Sequence, residues 1–453
     1  MNISGSILFL LLALPQVLLA VDPPDRGIPS RGRSASGINQ ALGIGNKFFS
    51  PALVSNLRAR LSGEKGANLL PGTRADGLPA AGSPKMLVLL IEFDEYPARP
   101  GDTTEVMTAR IFGSAGKFPF ESLSAYYRRS SYGKLNIAGD VLGWYKAGKR
   151  ADVLETNAGR EALIKKALQS YKGQDFSQYD NNGDGVIDYF TVIWTGPTGE
   201  WATFWWGMAP HFSDKNFKVN GKKLGAYSWQ GVVAKWEDPE ANFKIRTLVH
   251  ETGHALGLPD YYDYKPGTGP DGGLGHFDMM DSTWYDHNCF SKFMLGWTEP
   301  KIITSGGEFK LPPASESGEC LMLVPPGRDK NPFGEFFLVE NRRNAGNDTD
   351  TGFKGGLIVW HVDARLNQAG TNFLYDNQET EHKLLKALEA DGLEELEKGL
   401  SKSFDYPDFY LKDRALGPDT LPSSRLYDGR DTGISLLSRG GDQDVEFSIG
   451  FKK

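Results

Sequence analysis

His250 and His254 stand four residues apart, with Glu251 beside the first, inside the stretch "TLVHETGHALGLPDYYDY" that begins at Thr247. On a helix, positions four apart share a face, so both imidazoles can reach one cation. Glu251 is displaced around that helix, where its carboxylate can reach a water on the cation rather than the cation itself. Zinc lowers the pKa of such a water toward neutrality, and the carboxylate can take its proton as a carbonyl is attacked. That is the hydrolytic chemistry carried by histidine-glutamate-two residues-histidine. Gly257 suits a sharp left-handed exit from the helix, and Pro259 forbids its continuation. Asp260, six residues beyond His254, can then return a carboxylate to the same ion. Two nitrogens and one oxygen leave a fourth position for water, as catalytic zinc requires. His276, Asp263 and Asp281 are rival third ligands, and a merely structural histidine pair is the plain alternative.

A second set of oxygens lies in "DNNGDGVIDY". Asp180, Asn182 and Asp184 alternate around a glycine-rich turn, Val186 offers a carbonyl, and Asp188 follows. Such a turn suits calcium, which takes six to eight oxygen ligands. A full helix-loop-helix site would end in glutamate at its twelfth position, where this chain has Thr191, so an Asx-rich turn without metal is the competing reading. Asp188 falls within an expected strand, so an ion here would brace the domain and take no part in catalysis. Two weaker candidates face the substrate side. Tyr285 and His287 could stabilise an oxyanion or substrate, and the run "EWATFWWGMAPHF" could line a cleft, although aromatic stripes usually belong to cores.

The elements that must position these residues follow from the apolar patterning. "KMLVLLIEF" reads as a fully buried strand opening the main domain at Lys85. Helical patterns are expected near Thr103–Phe112, Glu121–Arg129 and Asp152–Tyr171, alternating with strands in "LNIAGDVLGWY" and "GVIDYFTVIWTG". The order implies an α/β or α+β catalytic unit, taken as α+β with a mixed sheet and an active-site helix, over 85–306. From 307 to 453 short apolar runs separated by turns imply a β-rich region. One solvated amphipathic helix is expected to interrupt it, "EHKLLKALEADGLEELEKGL".

Residues 1–20 contain the apolar run "ILFLLLALPQVLLA", too short and proline-broken to span a membrane. It fits a signal peptide with Ala20 as the cleavage point, which implies an exported protein without lasting membrane insertion. Residues 21–84 are rich in Gly, Pro, Ala and Ser, apart from one amphipathic piece, "PALVSNLRARLSG", and are expected to form a prosegment. That segment lacks cysteine, so no thiolate latch on the metal is available from it. The chain's 453 residues hold 57 acidic and 50 basic side chains, a net charge of −7 that draws neither nucleic acid nor anionic membranes. Cys289 and Cys320 would close a loop of about 30 residues, stabilising by roughly 3 to 4 kcal/mol if bridged; two buried thiols are the alternative.

"HETGHALGLPDYYD" resembles the extended zinc signature of metzincin-type proteases whose third ligand is aspartate. It is closer still to the immune inhibitor A family of secreted metalloproteases. "KMLVLLIEF", "AYYRRSSYGKLNIAGDVLGWY", "DNNGDGVIDY", "FDMMD", "EFFLVENRR", "GLIVWHVD" and "LEADG" resemble segments of that family in the same order. The resemblance implies a zincin-like fold and a secreted zinc endopeptidase made as a precursor. It implies His250, His254 and Asp260 as zinc ligands, Glu251 as general base, and Met280 in a methionine turn beneath the metal. Asp281 after Met280 and the Asn288-Cys289 segment depart from the family pattern. A zinc amidase for cell-wall peptides, or a catalytically silent binding protein on the same fold, are the alternative functions; the intact Glu251 argues against the second.

Overall fold

A computed structural model describes residues 77–452, apart from short gaps at 202, 263–272, 276, 328–331, 350–353, 369, 371–372, 378–381, 397 and 399–404, together with residues 20 and 21. Residues 1–19 of the expected signal peptide, and nearly all of the expected prosegment including its amphipathic piece, lie outside the described residues. Ala20–Val21 forms β1, which pairs antiparallel with β5 (Met208–Ala209).

The main sheet contains β2 (Lys85–Glu92), β3 (Ala138–Lys146), β4 (Val186–Trp194) and β6 (Lys223–Gly231). Its order is β1-β5-β6-β4-β2-β3, with β3, β2, β4 and β6 parallel and the β5 edge antiparallel. Buried on both faces, β2 distributes its continuous apolar run by period two. Met86, Val88 and Leu90 face one core, and Leu87, Leu89 and Ile91 face the other. Helix α3 (Asn157–Ser170) covers the second face through Leu163 and Ile164. On the first lie α1 (Thr104–Phe112), α2 (Leu123–Ser130) and α4 (Ile245–Ala255). Thr103, Ser122 and Thr156 cap α1, α2 and α3 with side-chain oxygens on free backbone N–H groups, which fixes where those helices start. The tryptophan run belongs to the second core. Trp205 packs edge-on against Trp194 and tilted against Trp229, at centroid distances of 5.1 and 5.5 Å, and is buried in that core.

After α5 (Met279–Ser282) and α6 (Cys289–Met294), two antiparallel-rich sheets follow. The first has order β12-β11-β10-β9-β7, from β7 (Lys301–Ile303), β9 (Leu321–Leu323), β10 (Glu335–Arg342), β11 (Gly356–Asp363) and β12 (Leu385–Ala387). The second, β13-β14-β15-β8, uses β8 (Gly307–Leu311), β13 (Ala415–Leu416), β14 (Ile434–Gly440) and β15 (Val445–Phe451). Because β7 pairs with β9, the β-rich region begins before residue 307. It is also not a separate module. Phe336 and Leu338 of β10, with Trp360 of β11, enter the core shared with α4, while Phe337, Val339 and Val359 face the second sheet.

Among the described residues of 381–400 the expected charged helix is not formed. Leu385–Ala387 pairs with β11, and the chain then turns at Asp391-Gly392. Gly392 has φ +78°, and a Cβ there would strike the Leu421 carbonyl. Burial of Leu385, Leu388 and Leu396 outweighs the helical propensity of the surrounding Glu and Lys. Cys289 and Cys320 are buried free thiols, so the bridged reading is also corrected. Burial, and then the neighbouring Cys320, push the Cys289 thiol well above its ordinary range. Leu78 and Ala80, within the span expected as prosegment, are buried in the core shared with α4.

Candidate metal centre

Helix α4 is held from several sides before any ion is considered. The Tyr127 hydroxyl donates to the Val249 carbonyl at 2.7 Å, Thr252 Oγ1 meets the Tyr189 hydroxyl at 3.2 Å, and the Leu78 N–H donates to the Ala255 carbonyl at 3.0 Å. The helix ends as its sequence suggests. Gly257 adopts φ +106°, and the Leu258 N–H turns back to the Gly253 carbonyl.

That reversal brings three ligand atoms together. His250 Nε2 and His254 Nε2 are 3.1 Å apart, and Asp260 Oδ1 lies 3.1 and 3.0 Å from them. Donors at ordinary zinc distances on a tetrahedron are about 3.3 Å apart, so this triangle fits one face of a zinc site. The second nitrogens fix the tautomers: His250 Nδ1 meets the Met279 carbonyl at 2.8 Å, and His254 Nδ1 meets the Leu258 carbonyl at 2.9 Å. A carbonyl only accepts, so Nδ1 carries the proton and Nε2 presents its lone pair to the shared centre. Glu251, fully buried, adjoins the triangle in sequence; its charge, after burial, helps raise the Tyr189 phenol.

Met280 lies directly under the helix. A Cβ on Gly253 would fall well inside 3.0 Å of Met280 Sδ, so glycine between the histidines is what lets the two segments touch. The Met280 carbonyl accepts the Tyr261 N–H at 3.0 Å, next to the Asp260 ligand. Asp278 organises this turn: Oδ1 caps α5 through the Met280 N–H at 2.7 Å, and Oδ2 accepts the Asn288 N–H at 2.6 Å and its Nδ2 at 2.8 Å. Asn288 in turn caps α6, where Ser291 Oγ meets the Tyr261 hydroxyl at 2.8 Å. Burial drives the Asp278 carboxyl up to about 7 despite the donated N–H groups.

Of the rival ligands, Asp281 accepts the Leu274 N–H at 3.2 Å and is not in the ligand triangle. Asp263 and His276 lie outside the described residues. His287, weighed as a substrate-side residue, is fully buried among Tyr126, Tyr127 and Trp297. Burial lowers its pKa to about 3, keeping it neutral. Tyr285 is half-buried, with its ring on Phe277 and its carbonyl accepting the Tyr126 hydroxyl.

In the second turn, Asp180, Asp184 and Asp188 place one oxygen each within 4.8 Å of one another. Much of the turn satisfies itself: Asp180 accepts the Asp184 and Gly185 N–H groups and the Lys222 ammonium, and Asn182 bonds Asp184. Lys222 already supplies positive charge there. Asp188 Oδ1 is buried without a hydrogen-bond partner, and burial raises that carboxyl to about 6. Val186 begins β4 immediately after the turn.

One positioning residue left no sequence signal. Asn377, buried, donates Nδ2 to the Tyr261 carbonyl at 3.1 Å and to the Leu385 carbonyl at 2.8 Å, while Oδ1 accepts the Leu385 N–H at 3.0 Å. It ties the segment carrying Asp260 to β12. A buried ionic network joins the same halves. Lys292 pairs with Asp286 at 2.6 Å, Arg342 pairs with Asp348 at 2.6 Å, and Asp348 accepts the Asp286 N–H.

No protein-family model matches the chain. It is 29% identical to "Immune inhibitor A" of Bacillus thuringiensis subsp. alesti, over 40% of this chain and 33% of that protein. It is 26% identical to "Pre-pro-metalloprotease PrtV" of Vibrio cholerae serotype O1, strain M66-2, over 49% of this chain and 29% of that one. The match thus spans about a third of the length of these curated relatives. Their names support a protease function at family level and imply a metal cofactor. Over the part they share, these likenesses support the immune inhibitor A-like metalloprotease family for this chain.

Proposed function

We propose that this chain is an exported, zinc-dependent endopeptidase, made as a precursor, that hydrolyses peptide bonds of protein substrates. The observation that carries this reading is the convergence of His250 Nε2, His254 Nε2 and Asp260 Oδ1 within 3.1 Å of one another. His250, His254 and Asp260 would hold zinc, which when bound polarises a carbonyl and makes water acidic. Glu251 takes the proton of the attacking water and delivers it to the leaving amine. Met280 forms the apolar floor under α4, and Asp278 and Asn377 hold the segments on either side.

A cleft of about 530 Å³ opens beside the amino end of α4. Phe243, Ile245, Arg246 and Trp284 line it, with Arg246 stacked 3.5 Å over the Trp284 ring. An apolar or acidic substrate side chain would fit there. Calcium at Asp180, Asn182, Asp184, Val186 and Asp188 belongs to the reading only as a brace, with Lys222 displaced from Asp180. Among the described residues no helix is long and apolar enough to cross a membrane.

The test is casein cleavage by the full chain, with and without a chelator. Activity that disappears with chelation and returns with zinc supports the reading. Zinc-loaded, folded protein that leaves casein and gelatin intact would overturn it.

A further inference from the structure

A third group of oxygen ligands lies far along the chain, in the segment that the charge pattern marks as a plain surface helix. Glu389 and Asp391 follow β12, and Asp408 closes the single turn Tyr406–Asp408. Each offers one carboxylate oxygen, and these lie within 4.8 Å of one another. Oxygens held around one calcium ion, at about 2.4 Å each, are separated by no more than about 4.8 Å.

The loop is shaped to bring them together. The Ala390 N–H donates to the Asp408 carbonyl at 2.9 Å, joining the two segments. Glu389 accepts the Glu395 and Leu396 N–H groups at 2.6 and 3.2 Å, and Asp391 accepts the Leu393 N–H at 2.9 Å. Those bonds orient the acids without neutralising them. The independent sign of a ligand is Asp408 itself. It is 2% exposed, its Oδ2 accepts the Asp405 N–H at 2.6 Å, and its Oδ1 is buried with no hydrogen-bond partner. A buried carboxylate oxygen left bare beside two further carboxylates is costly unless a cation or proton meets it.

Two nearby lysines have other partners among the described residues. Lys386 lies 3.4 Å from Glu394, and Lys398 Nζ donates to the Leu393 carbonyl. Neither Asp391 nor Asp408 forms an ion pair among the described residues. Burial, then the charges of Glu389, Asp405 and Asp391, raise the Asp408 carboxyl to about 7 against the pull of the Asp405 N–H.

We propose that Glu389, Asp391 and Asp408 form a calcium site in the β-rich region. An all-oxygen, all-carboxylate set favours a hard cation such as calcium over zinc. The ion fastens the 389–396 turn to the 405–408 turn and so braces the edge strand β12. Because Asn377 joins Leu385 of β12 to Tyr261, that brace reaches the segment bearing Asp260.

The test titrates calcium chloride calorimetrically into the full chain, kept in zinc-containing, calcium-free buffer. Wild type is expected to take up one equivalent more than Asp408→Asn. Asp391→Asn is expected to weaken that equivalent at least tenfold, and Asp188→Asn to leave it in place. Calcium should raise the melting temperature of wild type more than that of Asp408→Asn. Asp391 is partly exposed, so its variant remains readable if Asp408→Asn fails to fold. Equal uptake and affinity in wild type, Asp408→Asn and Asp391→Asn would overturn the proposal, as would loss of the equivalent in Asp188→Asn alone.

Discussion

Gly253→Ala places one methyl group between the two histidines, where it meets Met280. Taken by itself, glycine to alanine inside a helix stabilises by about 1 kcal/mol. Here the new carbon falls well inside 3.0 Å of Met280 Sδ, 3.2 Å from its Cε and 3.4 Å from the Tyr127 hydroxyl. Van der Waals contact requires about 3.7 Å, so the sulfur must retreat by roughly 1 Å. Overpacking of that kind costs about 1 to 3 kcal/mol, giving a net change between nil and about 2 kcal/mol of destabilisation. The larger effect falls on activity. The Met280 carbonyl accepts the Tyr261 N–H, so displacement of the turn is passed to Asp260. Misplacing a reacting centre by about 1 Å lowers rates by up to about 100-fold, and cleavage should fall about 10- to 100-fold. Urea unfolding of Gly253→Ala, Met280→Ala and the double variant supplies the check. In the Met280→Ala background the methyl has room, so Gly253→Ala should stabilise by about 1 kcal/mol, with a coupling of about 1 to 3 kcal/mol. A single Gly253→Ala variant more stable than wild type, with full activity, would refute the packing argument.

Other expectations follow from the same contacts. Asn377→Ala strips partners from two carbonyls and one N–H in a buried place, so it should cost about 2 to 4 kcal/mol and weaken zinc binding, read by unfolding and metal titration. Asp408, raised to about 7 from an ordinary 3.8, holds its proton in the folded state over a range where the unfolded chain has lost it. Its contribution is therefore present below about pH 4 and is lost as pH rises toward 7. The unscreened limit is about 4 kcal/mol, or about 2 after solvent screening, and in calcium-free buffer Asp408→Asn should lose that slope. Cys289 and Cys320 should react with a thiol reagent only after unfolding, giving two thiols per chain; none would mean that they are bridged.

The triangle of His250, His254 and Asp260 was legible because its parts are local. His250, Glu251 and His254 share one helix, and Gly257 and Pro259 announce the reversal that returns Asp260. Strands β2 and β4 were legible as uninterrupted apolar runs. What escaped depends on distance in the chain. Asn377 reaches Tyr261 across 116 residues, and no local pattern marks it. How the β-rich region joins the rest escaped because each short strand looks alike from either face; only packing shows that Trp360 and Leu338 enter the core shared with α4. The 381–400 segment misled because its Glu and Lys residues have helical propensity, whereas its leucines are claimed by the sheet and its acids by a turn. His287 was legible as a polar residue near the site, but its packing between aromatic rings was not.

The central claim is that Glu251 moves the proton while His250, His254 and Asp260 hold the metal. It is tested most directly by casein cleavage with Glu251→Gln, measured on preparations whose zinc content is determined in the same samples. The expected result is one zinc per chain, as in wild type, with cleavage reduced about 100- to 10,000-fold. Zinc-loaded Glu251→Gln that cleaves at the wild-type rate would contradict the account.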